Sequence, residues 1–168
     1  MTKRCLVIGP SWVGDMVMAQ SLFRRLKSEQ PDLYLGVLAP AWSEALLSRM
    51  PEVDESIVMP VGHGALQLGR RWKLARTIAK KEFDQAIVLP GSLKSALVPF
   101  FAGIPRRTGF VGEQRYGLLN DIRRLDKQAL PLNVQRFLVL GSETHALPEN
   151  IPVPKLEADP QAQAQVRE

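Results

Sequence analysis

The stretch Arg4-Cys5-Leu6-Val7-Ile8-Gly9-Pro10-Ser11-Trp12-Val13-Gly14-Asp15 decides the fold of this chain. Its apolar first half predicts a buried strand over Arg4 to Gly9. Its second half predicts a turn into a helix that starts near Asp15. Ligands of open α/β sheets bind at such turns, beyond the carboxyl ends of the strands. The turn is therefore the first candidate functional site.

The charge of this turn distinguishes it from a phosphate-binding loop. Gly9 and Gly14 have the spacing of a P-loop, but Asp15 stands where that loop needs a lysine. A carboxylate repels a phosphate and can accept a proton. Two compatible interpretations of Asp15 remain: a helix cap at the positive end of the dipole, or a general base. Trp12 is either wedged into the core or exposed to stack on a ligand.

Short apolar segments alternate with amphipathic ones along the chain, which predicts an α/β fold. The predicted strands are Arg4–Gly9, Tyr34–Ala39, Ser56–Pro60, Gln85–Leu89 and, more weakly, Arg107–Val111. Predicted helices start near Asp15 and cover Ala41–Met50, Leu66–Lys81, Ser92–Ala102 and Leu132–Ser142. Strands that are apolar on both faces are typical of sheets covered by helices on both sides. We expect a Rossmann-like parallel sheet flanked by helices.

The chain divides into a domain over 1–143 and a tail over 144–168. A chain of 168 residues is long enough for one domain with a sizeable core. The tail has four prolines, Pro148, Pro152, Pro154 and Pro160, and few large apolar residues. This composition predicts a linker or a disordered end.

The composition excludes several classes of protein. The lone Cys5 lies in a predicted strand and cannot form an internal disulfide, so we expect a buried thiol in a reducing cytoplasm. His63 and His145 are far apart in sequence, so no metal-ligand cluster is predicted. The apolar run near the N-terminus is too short for a signal peptide, and no stretch approaches the roughly 18 apolar residues of a membrane span. These features predict a cytoplasmic protein.

The chain carries a net charge of +5, which favours an anionic partner. Charge alone does not choose among nucleic acid, phospholipid headgroups and an acidic glycolipid. The densest basic run lies on the third predicted helix and comprises Arg70, Arg71, Lys73, Arg76, Lys80 and Lys81. With Leu68, Trp72, Ala75 and Ala79 facing inward, this run is either a solvated surface or an anion-binding face. His63, between two glycines before this helix, is interpreted as a loop residue rather than a catalyst.

Two later segments are also candidate sites. Leu89–Ser95 is a second turn from strand to helix, in which Ser92 is the predicted N-cap and Lys94 could hold an anionic group. In a parallel sheet it opens on the same edge as the first turn, so both could line one cleft. Gly109–Gly117 is predicted to be flexible. In it, Arg115 is either a bidentate donor to a carboxylate or phosphate, or an exposed structural arginine.

Several longer motifs, in the same order along the chain, resemble the lipopolysaccharide heptosyltransferases, and within them the enzymes that add the second heptose. The motifs are Ile8–Met16, Ala39–Trp42, Leu47–Val53, Gly62–Leu66, Lys94–Pro105 and Arg115–Asp121. The resemblance implies the N-terminal domain of a GT-B glycosyltransferase. Such an enzyme transfers L-glycero-D-manno-heptose from ADP-heptose to the first inner-core heptose of lipopolysaccharide, with inversion and without a metal or other cofactor.

The resemblance also implies roles for individual residues. Asp15 matches the family's general base, and the acceptor-binding residues it suggests are Ser11, Trp12, Gly14, Arg70, Arg71, Lys73, Ser92, Lys94 and Arg115. The acceptor carries Kdo carboxylates and lipid A phosphates, which suits a basic protein. The implied location is cytoplasmic, with peripheral contact at the cytoplasmic face of the inner membrane.

The chain departs from the family in length, because members are about twice as long. We therefore expect that the nucleotide-sugar domain is missing and that this chain alone lacks transferase turnover. The alternative is a non-enzymatic Rossmann-like module that binds an anionic ligand through the turns after Gly9 and Pro90. Nucleic-acid binding through the basic helix rests on charge only, and we expect no nucleic-acid partner.

Overall fold

The computed structural model describes residues 2–62 and 64–166. They contain one sheet whose strand pairs are all parallel, in the order β3-β2-β1-β4-β5-β6. The strands are β1 (Arg4–Ile8), β2 (Tyr34–Ala39), β3 (Glu55–Val58), β4 (Gln85–Val88), β5 (Arg106–Phe110) and β6 (Asp121–Arg123). The five predicted strands are confirmed, with ends shifted by one or two residues. This order is that of a doubly wound Rossmann sheet, whose direction of winding reverses between β1 and β4.

Within the described residues, six α-helices connect or follow the strands. They are α1 (Val13–Glu29), α2 (Glu44–Leu47), α3 (Leu68–Ala79), α4 (Leu97–Phe101), α5 (Asn133–Gly141) and α6 (Pro160–Val166). Short 3₁₀ turns, Ala41–Ser43 and Leu93–Ala96, precede α2 and α4. The long helix predicted over Ser92–Ala102 is therefore two pieces. Pro99 has no backbone N–H to donate to the carbonyl of Ser95, so an α-helix cannot run through this turn unbroken.

The helices cover the two faces of the sheet with separate cores. Along β1, Cys5 and Val7 point to one face, where α1 and α5 pack together. Leu6 and Ile8 point to the other face, beneath α3 and α4. This alternation follows from the two-residue period of a strand. Both faces of the central strand are thus buried, as the sequence predicts.

The orientation of α3 corrects the sequence interpretation. Its buried residues are Arg71, Ala75 and Ile78, whereas Leu68 and Trp72 are each 50% exposed. The predicted buried face is rotated by about one residue from the observed one, because the prediction placed the large apolar side chains inside. Arg71 is buried because its guanidinium donates to backbone carbonyls, described below with the site.

The strand β6 was not predicted, because its three residues show no apolar pattern. Its pairing with β5 is supported by the Asp121 carboxylate, which accepts hydrogen bonds from Thr108 (2.8 Å), Arg106 (3.0 Å) and Arg123 (3.2 Å). Burial raises the pKa of Asp121, but these hydrogen bonds outweigh burial and hold it below its ordinary value. Partly buried ion pairs and hydrogen bonds therefore stabilise this pair of strands, in place of an alternating apolar pattern.

The tail folds back along α1 rather than leaving the domain directly. The buried Gln20 side chain donates to the carbonyl of Lys155 (2.7 Å) and accepts from its N–H (2.9 Å). The N–H of Glu157 bonds to the carbonyl of Arg49 at 2.8 Å. Residues 151–159 have no regular secondary structure, and α6 follows them, a helix that the sequence interpretation did not contain.

Candidate functional site

A cleft of about 1630 Å³ lies at the carboxyl edge of the sheet. Its walls include the turn after β1, the turn after β2, the turn after β4 and part of the loop after β5. The first and third of these turns flank the point where the winding reverses, which is where ligands bind in open α/β sheets. The two turns that the sequence singled out therefore open on one cleft, as their parallel strands predict.

Asp15 lies on the wall of this cleft, in the first turn of α1. It is not the N-cap residue: that position is Trp12, and no side-chain cap bond is formed there. The carboxylate oxygen Oδ1 of Asp15 instead accepts a hydrogen bond from Nδ2 of Asn133 at 3.0 Å. The other oxygen, Oδ2, accepts no hydrogen bond from residues 2–62 or 64–166. The capping interpretation is thus wrong in detail, although the carboxylate still lies at the positive end of the helix dipole.

Asn133 is itself held in one orientation by Arg136. Nη1 of Arg136 donates to Oδ1 of Asn133 at 3.0 Å, while its other nitrogens donate to the carbonyls of Leu130 (2.9 Å) and Pro131 (3.2 Å). An arginine can only donate, so Asn133 must turn its oxygen to Arg136 and its NH₂ to Asp15. Sequence reasoning missed both residues, because an asparagine at a helix start carries no signal of its distant partner.

Aromatic side chains surround the cleft. Trp12 is 69% exposed and lines the cleft together with Trp42 and Tyr116. Trp12 is therefore exposed rather than wedged into the core. Flat aromatic faces at a cleft rim are suited to stacking on a ring-shaped ligand.

The cations at the cleft are only partly those that the sequence suggested. Lys94 and Arg71 contribute to the lining, as do Arg124, Lys127 and Arg136, which the sequence interpretation did not propose. Arg70 and Lys73 lie on the exposed side of α3, outside the lining. The basic run of α3 therefore divides between the cleft and a different surface.

The Arg71 side chain mainly binds backbone carbonyls of two neighbouring segments. Its Nε donates to the carbonyl of Leu66 (2.6 Å), Nη2 to that of Ala65 (3.0 Å) and Nη1 to that of Lys94 (3.3 Å). Burial lowers the pKa of this guanidinium. It joins the loop before α3 to the turn after β4. His63, which precedes this loop, lies outside the described residues.

The structure contradicts the prediction that Arg115 binds the acceptor. Its side chain is 1% exposed and is not part of the cleft lining. Nη1 donates to the carbonyl of Pro90 (2.7 Å) and to Oγ of Ser95 (3.2 Å), and Nη2 donates to the carbonyl of Phe110. Burial lowers the pKa of Arg115 to about 10. With both terminal nitrogens bonded to the chain itself and the side chain buried outside the cleft lining, Arg115 is neither exposed nor placed to contact a ligand.

The loop over Gly109–Gly117 is packed against the turn after β4, contrary to the predicted flexibility. Gly112 has a positive φ of 50°, and a Cβ there would lie 2.2 Å from the carbonyl oxygen of Gly91, so only glycine fits. The Glu113 carboxylate accepts a hydrogen bond from the N–H of Leu93 at 2.7 Å. Glu113 thus caps the 3₁₀ turn, a role predicted for Ser92, whose side chain forms no cap bond.

The remaining predicted residues have simpler outcomes. Ser11 is half-buried and lines the cleft. Gly14 lies within α1, outside the lining, and a Cβ there would meet no atom of the described chain within 4 Å. Cys5 is buried, and burial raises the pKa of its thiol to about 12, which makes it unreactive.

Comparison with known proteins assigns the family. The pattern of glycosyltransferase family 9 (heptosyltransferase) matches residues 71–168. The chain belongs to glycosyltransferase family 9. It is 62% identical over 138 residues to lipopolysaccharide heptosyltransferase 2 of Escherichia coli strain K12. This match covers 82% of this chain and 40% of the relative. It is 49% identical over 164 residues to lipooligosaccharide heptosyltransferase 2 of Haemophilus influenzae, which covers 95% of this chain and 47% of that protein.

Solved structures of glycosyltransferase family 9 proteins share the fold. The structure of E. coli ADP-heptose lps heptosyltransferase II superposes with a TM-score of 0.87 at 48% identity, covering 96% of this chain and 49% of that one. A family 9 glycosyl transferase from Veillonella parvula superposes with a TM-score of 0.83 at 17% identity, covering 98% of this chain and 47% of that one. The chain thus spans less than half the length of the relatives it matches.

Between residues 2–62 and 64–166, no helix is both long and apolar enough to cross a bilayer. Within the same ranges, no three His, Cys, Asp or Glu side chains come together where they could hold a metal ion.

Proposed function

We propose that this chain is the acceptor-binding part of a heptosyltransferase that adds a heptose to the first inner-core heptose of lipopolysaccharide, with ADP-heptose as donor. The observation that carries the proposal is the Asp15 carboxylate on the cleft wall. One of its oxygens is held by Asn133, and the other accepts no hydrogen bond from the described chain. A positioned carboxylate with one uncommitted oxygen is suited to take a proton from a hydroxyl.

The proposed reaction is a single displacement. The acceptor hydroxyl oxygen forms a bond to the anomeric carbon of the donor, while the bond from that carbon to the diphosphate breaks. ADP leaves with the bonding electron pair from the opposite face, so the anomeric configuration inverts. Asp15 takes the hydroxyl proton as the new bond forms. The Asn133 amide keeps the carboxylate aimed during this transfer, because Arg136 prevents the amide from turning.

The surroundings of the cleft suit the proposed acceptor. Lys94, Arg124, Lys127 and Arg136 contribute positive charge to its walls, and Trp12 and Trp42 contribute exposed aromatic faces. Kdo carboxylates and lipid A phosphates would be attracted by the cations. A heptose ring could stack on an indole. We propose that the anionic acceptor binds to these cleft cations, and that the protein works at the cytoplasmic face of the inner membrane.

We further propose that the nucleotide-sugar site lies outside residues 1–168, in the part of the relatives that these residues do not match. The matched relatives are more than twice as long, which supports this division. The test is turnover of ADP-heptose by two proteins. One is this chain alone, and the other is this chain fused to the C-terminal part of the E. coli strain K12 relative. We expect turnover from the fusion only, and we expect EDTA to leave it unchanged. Turnover by the isolated chain would contradict the division.

A further inference from the structure

A second surface, distinct from the cleft, combines exposed apolar and basic side chains. We call it the α3–α4 face and define it by Leu68, Trp72, Lys73, Arg76, Lys80 and Phe100. Its apolar members are 40% to 50% exposed, and none of its six residues lines the cleft. Exposed aromatic residues beside unpaired cations are the composition of an interaction surface rather than of a solvated one.

The geometry of α3 separates this face into two adjoining stripes. Because successive residues are 100° apart around a helix, Leu68 and Trp72 lie together beside Ala79. Arg76, Lys80 and Lys73 follow next around the helix, on the solvent side. The buried stripe of Arg71, Ala75 and Ile78 holds the helix onto the sheet. The apolar stripe is thus exposed by the fold, with cations along one edge.

The apolar stripe continues onto α4 through aromatic contacts. The rings of Trp72 and Phe101 meet edge to face, with centroids 5.4 Å apart, and Phe101 contacts Phe100 at 5.8 Å. The guanidinium carbon of Arg107 lies 5.5 Å from the centroid of Phe100. Trp72 and Phe100 therefore form one exposed apolar ridge that is flanked by cations on both sides.

Few acids lie near these cations in the sequence, Glu82 and Asp84 being the nearest that follow them. The sequence has no Asp or Glu from Ser56 to Lys81 or from Gln85 to Gly112. Within residues 2–62 and 64–166, Lys73, Arg76 and Lys80 form no ion pair.

The other side of the sheet has cations that are neutralised. On α1, Arg24 pairs with Glu52 (3.6 Å) and Lys27 pairs with Asp54 (2.6 Å). Among the described residues, the cations of the α3–α4 face thus differ from these two cations of α1 in having no carboxylate partner.

We infer that the α3–α4 face docks on an anionic lipid bilayer. Trp72 and Phe100 enter the boundary between headgroups and acyl chains, while Lys73, Arg76 and Lys80 contact the anionic headgroups. Tryptophan and phenylalanine beside lysine and arginine are typical of interfacial helices, whereas lysine is depleted at protein–protein interfaces. The inference does not depend on the proposed reaction, because the cleft and Asp15 take no part in docking.

Tryptophan fluorescence tests which surface meets the lipid. In the variant Trp12→Phe/Trp42→Phe only Trp72 emits, and in the matched variant Trp12→Phe/Trp72→Phe only Trp42 emits. Vesicles of phosphatidylcholine with phosphatidylglycerol should shift the Trp72 emission to shorter wavelength and leave the Trp42 emission unchanged. Phosphatidylcholine vesicles alone should shift neither. If the Trp72 emission is unchanged with the anionic vesicles, this face does not contact lipid and the inference is overturned. If the emission shifts at high protein concentration without vesicles, a second copy of the chain covers this face, and the inference is likewise overturned.

Sedimentation with the same vesicles tests the charges. Arg76→Gln/Lys80→Gln should bind about thirtyfold more weakly than the parent chain, since each cation near an anionic surface contributes substantially to binding. The control Lys3→Gln/Lys155→Gln removes the same charge from exposed positions elsewhere and should bind nearly as well as the parent chain. Equal weakening of both variants would show attraction by net charge only and would overturn the assigned surface. The vesicles contain no sugar acceptor, so the outcome does not bear on the cleft.

Discussion

The turn after β1 and the turn after β4 occupy equivalent places but use their polar groups differently. Both have a proline two residues after the strand, follow central strands and open on the same cleft. In the first, the Asp15 carboxylate faces the cleft and is held by a single amide. In the second, the carbonyls and the Ser95 hydroxyl are engaged by the buried Arg115, and Glu113 caps the turn.

The difference shows that a position at the sheet edge is not enough to make a turn reactive. What matters is whether the rest of the chain leaves a polar group uncommitted. Within the described residues, the first turn keeps one carboxylate oxygen without a hydrogen bond, whereas Arg115 engages the Pro90 carbonyl and the Ser95 hydroxyl of the second. We therefore assign proton transfer to the first turn and, apart from the Lys94 cation, the shape of the cleft to the second, and the following variants test that division.

The largest expected effect is on turnover when Asp15 is replaced. In the fusion with the C-terminal part of the E. coli relative, Asp15→Asn should lower kcat by about 10²- to 10⁴-fold, the range for removal of a general base. Acceptor KM should change little, because asparagine keeps the size and most hydrogen bonds of the side chain. Steady-state kinetics measure both, and near-normal turnover would remove Asp15 from the chemistry.

Replacing Arg115 should affect stability rather than chemistry. Arg115→Met leaves the carbonyls of Pro90 and Phe110 without their donor, and we expect the free energy of unfolding to fall by about 3 kcal/mol. Urea denaturation of the isolated chain measures this loss. The exposed Arg124→Met should stay within about 0.5 kcal/mol of the parent chain.

The same pair of variants also separates the two roles first considered for Arg115. If Arg115 contacted the acceptor, Arg115→Met would weaken acceptor binding and leave stability close to that of Arg124→Met. That result would mean that Arg115 offers a polar group to the acceptor instead of holding the turn after β4.

A smaller effect is expected from the residue that holds Asp15. Asn133→Ala removes the hydrogen bond to Oδ1, and we expect kcat of the fusion to fall about tenfold, equivalent to about one hydrogen bond. Acceptor KM and the unfolding midpoint should remain close to those of the parent protein. A fall in the midpoint with unchanged kcat would show that Asn133 supports folding and not the carboxylate.

The smallest effect is expected at Ser92. Its side chain makes no cap bond, so Ser92→Ala should change the free energy of unfolding by no more than about 0.5 kcal/mol. Glu113→Ala, which removes the actual cap, should cost about 1 kcal/mol. Urea denaturation of both variants compares them directly, and a larger loss at Ser92 than at Glu113 would reverse the assignment.

The sequence predicted those features that depend on local patterns. The apolar run of β1 and the turn into α1 follow from short-range periodicity. The parallel pairing of the strands, and with it the meeting of two turns at one cleft, follows from the alternation of strands and helices. Asp15 could be singled out because a carboxylate in a P-loop position is unusual.

The missed features depend on contacts between distant residues. Asn133 lies 118 positions from Asp15, and nothing in its neighbourhood indicates that it bonds a carboxylate. Arg115 was taken for a ligand-binding group because the Pro90 carbonyl and the Ser95 hydroxyl that it bonds belong to another turn. On α3 the usual preference for apolar burial failed, since Arg71 satisfies backbone carbonyls while Trp72 is left exposed.

Binding by the isolated chain tests the central claim most directly. The chain should be titrated calorimetrically with a Kdo- and heptose-containing acceptor, and separately with ADP-heptose, ATP and NAD. An acceptor half should bind the acceptor and show no measurable affinity for the nucleotides, and Lys94→Gln should weaken the acceptor binding. Tight binding of a nucleotide without binding of the acceptor would contradict the account and indicate a nucleotide-binding module instead.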